Sequence, residues 1–442
     1  MQQVEEDSVS FWQDDAQSRV QRHAALEQTI TADVAIIGGG ITGAACALWL
    51  ARAGRRVVML ERETIAHGAS GRNGGFVVAG TVETYERASA VYGRERARRL
   101  FAFSVANNQT VRELAAESEA TGWATGFRRV GSLRLADSPA ALAQVQASLA
   151  LLAEDGWPAE MIDEGHLPPR LRGHYLGGAY APHDGELQPA RFVLGLARLA
   201  AQAGASLYER TPALSLQETG QEVTIATPAG AVHTHTVILA ANAWLGDLLL
   251  RRQEAPAPPL PAETPALQGA PPLAGWKPAV QAQPASRAVI PTRGQMLATA
   301  PISERLFDCP ISAHYGYQYW RQLEDGRLVV GGWRDQTPDL DQDAPTQAPT
   351  ALVQGHLERF LFETLKLPTS TPITHRWAGL MAFTPDSLPI VGRVPGSARM
   401  VLCGGYTGHG NAMAVRCAQV AADLACGKSN DEAELFAPER LL

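Results

Sequence analysis

Residues 33–75 decide the fold and read DVAIIGGGITGAACALWLARAGRRVVMLERETIAHGASGRNGG. Asp33–Ile37 is a short apolar run with β-branched residues, which predicts a buried parallel strand. Glycines in the spacing G-x-G-x-x-G follow it, and an alanine-rich helix is predicted over Ile41–Ala53. Arg56–Leu60 is the predicted second strand, and Glu61 comes directly after it. This order of strand, glycine turn, helix, strand and acid predicts a dinucleotide-binding unit.

The glycine spacing has a specific physical meaning. Gly38 allows the tight turn, Gly40 lets the backbone approach a pyrophosphate, and Gly43 lets the helix pack closely against the strand. The phosphates would then lie at the start of the helix, at Ile41 and Thr42, where unpaired N–H groups and the helix dipole favour anions. A glycine turn that only packs a helix would not explain the acid at the end of the second strand, so we expect dinucleotide binding.

Glu61 and the glycine-rich run after it narrow the choice of dinucleotide. An acid at this position binds ribose hydroxyls and disfavours the 2′-phosphate of NADP, which leaves FAD and NAD open. Residues 68–75, GASGRNGG, form a second glycine loop. This loop resembles that of the amino-acid/amine oxidase superfamily of flavoproteins, the group of D-amino acid oxidase, glycine oxidase and sarcosine oxidase, and most of all its γ-glutamylputrescine oxidase branch. The resemblance implies FAD, with the loop running along it toward the flavin ring.

The resemblance also implies a fold and its division along the chain. The fold class is α/β, or α+β overall, with a Rossmann-like FAD-binding domain on a mixed central sheet and a smaller substrate domain on an antiparallel sheet. The FAD-binding domain is expected to comprise residues 31–85, 165–250 and 373–442, and the substrate domain residues 86–164 and 287–372. Residues 1–30 would be an N-terminal extension. Residues 251–286 are rich in proline and alanine, which predicts a long loop rather than a core strand or helix.

A second glycine turn near the C-terminus would complete the cofactor site. Met400–Cys403 is a predicted strand, Gly404–Asn411 a glycine loop and Ala412–Cys426 a helix. The start of this helix again favours negative charge, and the resemblance places it at the flavin, where it would stabilise the charge of the reduced ring. Fingerprint and resemblance together assign these residues to FAD: Gly38, Gly40, Ile41, Thr42, Gly43, Glu61, Arg62, Ser70, Arg72, Asn73, Gly74, Gly75, Ala240, Gly379, Gly405, Tyr406, Thr407, Gly408, His409 and Gly410.

Aromatic side chains are candidates for the substrate site. His314–Arg321 is predicted as a strand, so Tyr315, Tyr317 and Tyr319 would share one face. Such an aromatic stripe is usually part of a core, but the resemblance places Tyr315 and Tyr317 by the substrate, as binding or catalytic residues. His409, in the C-terminal glycine loop, is a candidate base or a structural cap.

One departure from the resembled family concerns the substrate. Members that oxidise α-amino acids typically have Gly-Leu/Phe-Arg-Pro after the tryptophan, and the arginine holds the substrate carboxylate; here Gly379-Leu380-Met381-Ala382 occupies that place. A methionine cannot form the bidentate pair that a carboxylate requires. We therefore expect a substrate without an α-carboxylate at the reacting carbon, with Met381 at its site. The alternative is that such a group binds elsewhere, at Arg321 or Arg334.

The resemblance implies an FAD-dependent amine oxidase or dehydrogenase that acts on CH–NH or CH–NH2 donors. A neutral amine, γ-glutamylputrescine-like or another primary or secondary amine, would pass its α-hydrogen to flavin N5 as hydride; the imine would hydrolyse, and O2 would reoxidise the flavin to give H2O2. Another electron acceptor stays open, as does a glycine, sarcosine or D-amino acid type of substrate. Outside this class, a NAD-dependent dehydrogenase and a non-catalytic FAD-binding subunit stay open. Non-covalent FAD is expected, since neither Cys309 nor His67 clearly matches an attachment position.

Composition excludes several other classes of protein. The chain has 442 residues, of which 45% are hydrophobic and 19% charged, as in an ordinary soluble globular protein. Its net charge of −7 gives no reason to expect nucleic-acid binding. Five scattered cysteines without a C-x-x-C pair indicate neither a disulfide framework nor a metal site. The acidic N-terminal segment predicts no signal peptide and no apolar run predicts a membrane span, so a cytoplasmic location is expected; the oligomeric state stays open.

Periodicity predicts further elements outside these motifs. Apolar residues at spacings of three and four predict one helix over Thr81–Ser118 and another over Ser138–Glu154. Asp155–Gly173 has three prolines and is predicted to be loop-like. Residues 183–186, HDGE, are a polar cluster that could supply an acid or base, but a turn before the next helix is the simpler interpretation.

Overall fold

The computed structural model describes residues 8–20, 22–250, 252–253, 288–337, 341–344 and 346–442. Apart from residues 252–253, the predicted proline- and alanine-rich loop lies outside these ranges. The strands are β1 Ile30–Ile37, β2 Val57–Leu60, β3 Phe76–Val77, β4 Ser132–Ala136, β5 Glu160–Asp163, β6 Gly177–Ala181, β7 Gly185–Glu186, β8 Ser206–Tyr208, β9 Ser215–Glu218, β10 Val223–Thr227, β11 Gly230–Leu239, β12 Arg252–Gln253, β13 Ile290–Thr299, β14 Ile311–Ala313, β15 Gln318–Gln322, β16 Leu328–Gly332, β17 Ile373–Phe383, β18 Ile390–Arg393 and β19 Met400–Gly404. The α-helices are α1 Phe11–Gln17, α2 Ile41–Arg52, α3 Tyr85–Tyr92, α4 Arg94–Ala120, α5 Pro139–Glu154, α6 Pro189–Gln202, α7 Leu245–Leu250, α8 Ala351–Arg359 and α9 Gly410–Ala425.

A nine-stranded mixed sheet carries the predicted dinucleotide unit. Its order is β12-β9-β10-β11-β1-β2-β8, with β19 beside the last residues of β11 and β18 beside β19. The central strand β1 runs parallel to both β2 and β11. Helices α2, α6 and α9 share one core with this sheet, and Ile36, Leu48 and Val415 in that core are fully buried. The short parallel strands and the helix between them confirm the predicted order of elements.

An eight-stranded sheet forms the other half, in the order β17-β13-β16-β15-β14-β4-β6-β5. Its pairs are antiparallel except for β14 with β4. One face packs on α8, with Trp320, Val330 and Leu357 fully buried. The predicted fold class is therefore confirmed, but strand pairing places β6 and β17 in this sheet, although the predicted boundaries assigned their residues to the FAD-binding segments.

Local predictions outside the sheets had mixed outcomes. The helix predicted over Thr81–Ser118 is two helices, α3 and α4, because Gly93 between them has φ 82°, which an α-helix cannot continue. The stretch Asp155–Gly173 contains strand β5, which pairs with β6 and was missed. Ser138 caps α5 by accepting a hydrogen bond from the Ala141 N–H. No helix in the described ranges is long and apolar enough to cross a membrane.

The N-terminal segment packs behind the second glycine loop. Ser10 caps α1 and donates from its hydroxyl to the Gly71 carbonyl oxygen at 2.6 Å. The Trp12 indole N–H donates to the Asn73 carbonyl oxygen at 2.7 Å, and its ring is buried. These contacts give the described part of the extension a structural role, because they fix the backbone of the loop from its outer side.

Candidate active site

The first glycine turn connects β1 to α2 with almost no free space. A Cβ atom added at Gly38 would lie 2.6 Å from the Ala240 carbonyl oxygen, and one added at Gly43 would lie 1.8 Å from the Gly38 carbonyl oxygen. Gly38 also has φ 115°, which strongly favours glycine. Gly40 precedes α2 and supplies no side-chain cap, and Gly40, Ile41 and Thr42 line the cavity described below.

Glu61 and Arg62 follow β2, beside this turn, and Arg62 stacks on Trp244. The Glu61 carboxylate accepts hydrogen bonds from the Gly39 N–H at 2.6 Å and the Glu63 N–H at 2.9 Å. Burial raises the pKa of Glu61, and these backbone donors oppose the shift. The Arg62 guanidinium lies 4.0 Å from the centre of the Trp244 ring, a cation–π contact at the same end of the cavity. Trp244 was missed from the sequence, because nothing local relates it to Arg62.

The second glycine loop is tied to both the first turn and the C-terminal helix. The Ser70 hydroxyl accepts a hydrogen bond from the Ile41 N–H at 3.0 Å. The Asn73 side chain accepts from the Gly75 N–H at 2.8 Å and from the Asn411 amide at 3.1 Å. The Arg72 guanidinium is buried and donates to carbonyl oxygens of the chain, including that of Ala378. The side chains of Asn73 and Arg72 therefore stabilise the conformation of the loop.

The C-terminal turn between β19 and α9 is strained. Thr407 has φ 48°, an unfavourable value for a residue with a branched Cβ, and its N–H donates to the Ala382 carbonyl oxygen at 2.8 Å. The Tyr406 hydroxyl lies 2.8 Å from the Thr42 hydroxyl, which joins this turn to the start of α2. The N-terminal ends of α2 and α9 therefore meet at one place, as the two anion-favouring helix starts predicted from the sequence.

Both helix starts and the second glycine loop border a single cavity of about 800 Å³. The residues assigned to FAD that line it are Gly38, Gly40, Ile41, Thr42, Glu61, Arg62, Ser70, Arg72, Asn73, Gly74, Ala240, Gly379, Tyr406, Thr407, Gly408, His409 and Gly410. Gly43, Gly75 and Gly405 lie outside this lining and shape the turns from behind. At Gly75, a Cβ would lie 2.3 Å from the Leu187 carbonyl oxygen.

Three tyrosines line the cavity from the second sheet, but not as one strand. The strand predicted over His314–Arg321 begins only at Gln318, because His314 and Tyr315 have φ 49° and 56° and form a tight turn between β14 and β15. Tyr315, Tyr317 and Tyr319 nevertheless all line the cavity; Tyr315 is 39% exposed and the other two are half-buried. Burial raises the pKa of Tyr319 to about 12, so its hydroxyl keeps its proton.

Met381 and Arg334 both line the cavity. A Cβ added at Gly294 would lie 2.9 Å from the Met381 Cε, and one at Gly408 would lie 3.6 Å from its sulfur. The methionine thus fills the space between β13 and the C-terminal turn. The Arg334 guanidinium lies 4.3 Å from the ring centre of Tyr317 and 4.6 Å from that of Phe383.

His409 borders the cavity as a neutral side chain. Burial lowers its pKa to about 4, and the nearby positive charges of Arg134 and Arg334 contribute in the same direction. Its Nδ1 atom has no hydrogen-bond partner among the described residues. A pKa this far below neutrality does not suit a general base, which works best near the operating pH.

The polar cluster after β6 divides into two parts. Asp184 lines the cavity and accepts hydrogen bonds from the Ser132 hydroxyl at 2.6 Å and the Ala79 N–H at 2.9 Å. Burial raises its pKa to about 6. Glu186 is buried beside Arg321, at 3.4 Å, and has a structural role. The sequence pattern showed the polar cluster but not which of its acids faces the cavity.

Other candidate groups lie away from the cavity or have structural partners. Arg321 is 2% exposed and donates to the Leu187 carbonyl oxygen at 2.7 Å, so it is not placed to bind a substrate carboxylate. Cys309 lies outside the lining, and burial raises the pKa of its thiol to about 12. His67 does line the cavity. Within the described residues, no group of three or more His, Cys, Asp or Glu is arranged to hold a metal ion.

The residues at this site fit FAD. A turn without room for a Cβ permits the close approach that a pyrophosphate requires, and two helix starts provide N–H groups for anions. Glu61 stands at the end of β2, where the ribose of a dinucleotide would lie. Tyr319 and Met381 line the same cavity, and the part of it that they border is called the chamber below.

Comparison with known proteins agrees with this geometry. The family model described as FAD dependent oxidoreductase (DAO) matches residues 33–424. The chain is 31% identical to the probable oxidoreductase OrdL of Rhizobium meliloti (strain 1021), over 90% of this chain and 84% of that protein. It is 27% identical to the gamma-glutamylputrescine oxidoreductase of Escherichia coli (strain K12), over 93% and 86%. The crystal structure of glycine oxidase from Geobacillus kaustophilus superposes with a TM-score of 0.73 at 22% identity, covering 92% of this chain and 98% of that one.

The chain therefore belongs to the DAO family of FAD-dependent oxidoreductases. Its cofactor is FAD, which removes the NAD-dependent alternative left open by the fingerprint alone. The resemblance seen in the second glycine loop is thus confirmed over most of the chain, and the predicted enzyme class is confirmed at the level of an FAD-dependent oxidoreductase.

Proposed function

We propose that this oxidoreductase oxidises a C–N bond of an amine that carries no carboxylate on the reacting carbon. The observation that supports this most directly is Met381, whose apolar side chain fills the wall between Gly294 and the turn before α9. An uncharged thioether there gives an α-carboxylate no partner. A primary or secondary amine of the γ-glutamylputrescine type fits this wall, and the similarity to the E. coli gamma-glutamylputrescine oxidoreductase supports the same class.

The residues of the chamber bind the amine and exclude water from it. FAD, when bound, accepts the hydride that leaves the α-carbon of the amine. This loss requires a neutral nitrogen, and the apolar surface of Met381 and Phe383 disfavours the charged ammonium form. Tyr319, whose hydroxyl stays protonated, is placed to donate a hydrogen bond to the substrate. The imine product is hydrolysed by water to an aldehyde or ketone with release of ammonia or a smaller amine.

The sequence-predicted catalytic residues take positioning roles in this proposal. Tyr315 and Tyr317 border the chamber at the tight turn between β14 and β15 and contact the substrate there. His409 stays neutral, because its pKa is lowered to about 4. No proton-accepting side chain is required if the amine arrives neutral.

A second candidate is an amino-acid oxidase or dehydrogenase of the glycine, sarcosine or D-amino acid type with an acceptor other than oxygen. One observation favours it: Arg334 lies over Phe383, two residues after Met381 on the same strand. Its guanidinium could take the place of the arginine that is missing at Met381 and bind an α-carboxylate.

Anaerobic mixing with a substrate panel distinguishes the two candidates. The panel comprises 1,4-diaminobutane, its γ-glutamyl derivative, simple monoamines, glycine, sarcosine and D-amino acids, and the measurement is the loss of visible flavin absorbance. We expect the amines without an α-carboxylate to reduce the flavin faster. Reduction by the amino acids but not by the amines would support the second candidate. No reduction by any compound would favour a non-catalytic subunit.

Two further parts of the proposal concern the cofactor itself. We expect non-covalent FAD: Cys309 lies outside the cavity lining and its thiol is held protonated, and His67, which does line the cavity, is the alternative attachment point. Acid precipitation should therefore release all flavin into the supernatant, and yellow colour in the pellet would contradict this. Reoxidation uses O2 and produces H2O2. H2O2 formation in air, compared with the reduction of an artificial electron acceptor under argon, tests this point.

A further inference from the structure

Arg134 lies on the cavity face of the second sheet. Its register partners are Ala179 on β6 and Ser312 on β14, and Ser312 in turn pairs with Tyr319 on β15. Register partners share one face of a sheet, and all four residues line the cavity. Tyr319 lies against the second glycine loop, where a Cβ added at Gly74 would be 3.3 Å from its ring. This row of register partners therefore extends from the second glycine loop to Arg134.

The protein leaves the charge of Arg134 without a direct partner. Among the described residues it makes no hydrogen bond and no ion pair, although Asp184 and Glu83 act on it electrostatically. Asp184 is engaged by the Ser132 hydroxyl, and Glu83 pairs with Arg87 at 2.8 Å. Arg134 is half-buried and lines the cavity, and desolvation lowers its pKa, so a bound anion would stabilise its charge. An anion that enters this part of the cavity would therefore find a cationic partner in Arg134.

We propose that Arg134 binds a carboxylate at the far end of the amine substrate. This inference rests on the proposed function and specifies its substrate class as an amine joined by a chain to a distal carboxylate. Two strand spacings separate Arg134 from Tyr319, which is about 10 Å. Nine covalent bonds, the length of three extended residues, also span roughly 10 Å. A 1,4-diaminobutane acylated by succinate, or by the γ-carboxyl of glutamate, has about this length and ends in a carboxylate.

The location of Arg134 separates its role from that of Arg334. Arg334 stacks on Tyr317 and Phe383 and so lies at the Met381 end of the chamber, near the reacting carbon. Arg134 lies two strands beyond Tyr319. The competing interpretation is an apolar tail in the same space, because the cavity is also lined there by a group of apolar side chains: Phe101, Val145, Leu149, Leu152 and Trp157.

Binding to the flavin-loaded enzyme tests the subsite without any turnover. The probes are N-butylsuccinamate, which ends in a carboxylate, and N-pentylbutanamide, which has a similar length and ends in a methyl group; neither has an oxidisable amine. Calorimetric titration should show tighter binding of the carboxylate by about tenfold or more. Arg134→Gln should remove this preference, and Arg134→Lys should keep part of it. The control is Arg129→Gln, at an exposed position outside the cavity lining, which should leave the preference unchanged.

Turnover of a matched pair completes the test. N-succinyl-1,4-diaminobutane should have a kcat/KM at least about tenfold above that of N-acetyl-1,4-diaminobutane, mainly through KM, and Arg134→Gln should reduce only the former. Equal binding of the two probes, tighter binding of the apolar probe, or an equal loss for both amines in Arg134→Gln would overturn the carboxylate subsite. Carboxylate binding that depends on Arg134, with no flavin reduction by any amine, would support the subsite and contradict the proposed function.

Discussion

The two ends of the cavity are built by different means. The cofactor end consists mainly of backbone: Gly38 and Gly43 leave no room for a Cβ, and the starts of two helices border it. The substrate end consists of side chains, Met381, Tyr319 and Arg134, that come from three strands far apart in the sequence. A backbone-built site depends on glycine at fixed positions, whereas a side-chain-built site can change its specificity by single substitutions. The experiments below test this difference.

The largest effect is expected from Gly43→Val at the cofactor end. The new side chain would meet the Gly38 carbonyl oxygen, which a Cβ alone would approach to 1.8 Å, so α2 must move away from the turn. We expect loss of FAD and a stability decrease of about 3 kcal/mol or more. The flavin-to-protein absorbance ratio and the urea midpoint measure both. Gly355→Ala, in α8 with open space around it, is the control and should retain both. Full FAD content in Gly43→Val would contradict the backbone account.

The second-largest effect is expected from Met381→Arg at the substrate end. A guanidinium there offers a carboxylate partner and blocks the apolar wall, so kcat/KM for the preferred amine should fall about 100-fold, and that for D-amino acids or sarcosine should rise. FAD content should stay at the wild-type value. Met381→Leu, which keeps an apolar side chain of similar size, should lose less than about fivefold. A fall for amines without any gain for amino acids would show that Met381 does not stand at the α-carboxylate position.

A smaller effect is expected from His409→Asn. Because the pKa of His409 is lowered to about 4, the imidazole is already neutral across pH 6–9, and a neutral amide replaces it without changing the charge. The rate of flavin reduction should fall by less than about tenfold, below the range of 10² to 10⁴ typical of a general base. The pH profile of the reduction rate should keep its shape between pH 6 and 9. Loss of an ascending limb in the variant would restore His409 as the catalytic base.

The smallest effect concerns the turn that carries Tyr315. His314 contacts Asp335 and Asp137, which raise its pKa to about 9. Because the folded-state pKa lies above the ordinary value near 6.5, this stabilisation is fully present below about pH 6.5 and is lost as pH rises through about 9. His314→Gln should therefore lower the unfolding free energy at pH 6 by under about 1 kcal/mol and make little difference at pH 10. Urea unfolding at both pH values checks this, and a difference that grows with pH would contradict the assignment.

The same contrast explains what the sequence could predict. At the cofactor end the signals are local, since Gly38, Gly40, Gly43 and Glu61 occur within one strand–helix–strand unit, and their predicted positions in the turn agree with the structure. The second loop and the start of α9 were also found from glycine spacing. Asn73 and Arg72 line the cavity, but each also bonds to a distant segment, a contact that no local pattern reveals.

At the substrate end, the sequence predicted which residues line the cavity better than it predicted how they are arranged. Tyr315 and Tyr317 do line the cavity, but the predicted strand is broken by positive φ angles that side-chain alternation cannot show. Met381 was identified by comparison with a family pattern. Arg134 and Trp244 were missed, because their significance depends on strand register and on a cation–π contact across the fold, both of which are non-local.

One pair of substrates tests the central claim most directly. The pair is γ-glutamyl-1,4-diaminobutane and the analogue that differs only by a carboxylate on the carbon next to the reacting amine, prepared as each stereoisomer. The measurement is the rate constant of flavin reduction under anaerobic conditions. We predict that the unsubstituted amine reduces the flavin at least about 100-fold faster than either carboxylated isomer, because Met381 gives the added charge no partner. Equal or faster reduction by a carboxylated isomer would contradict the account.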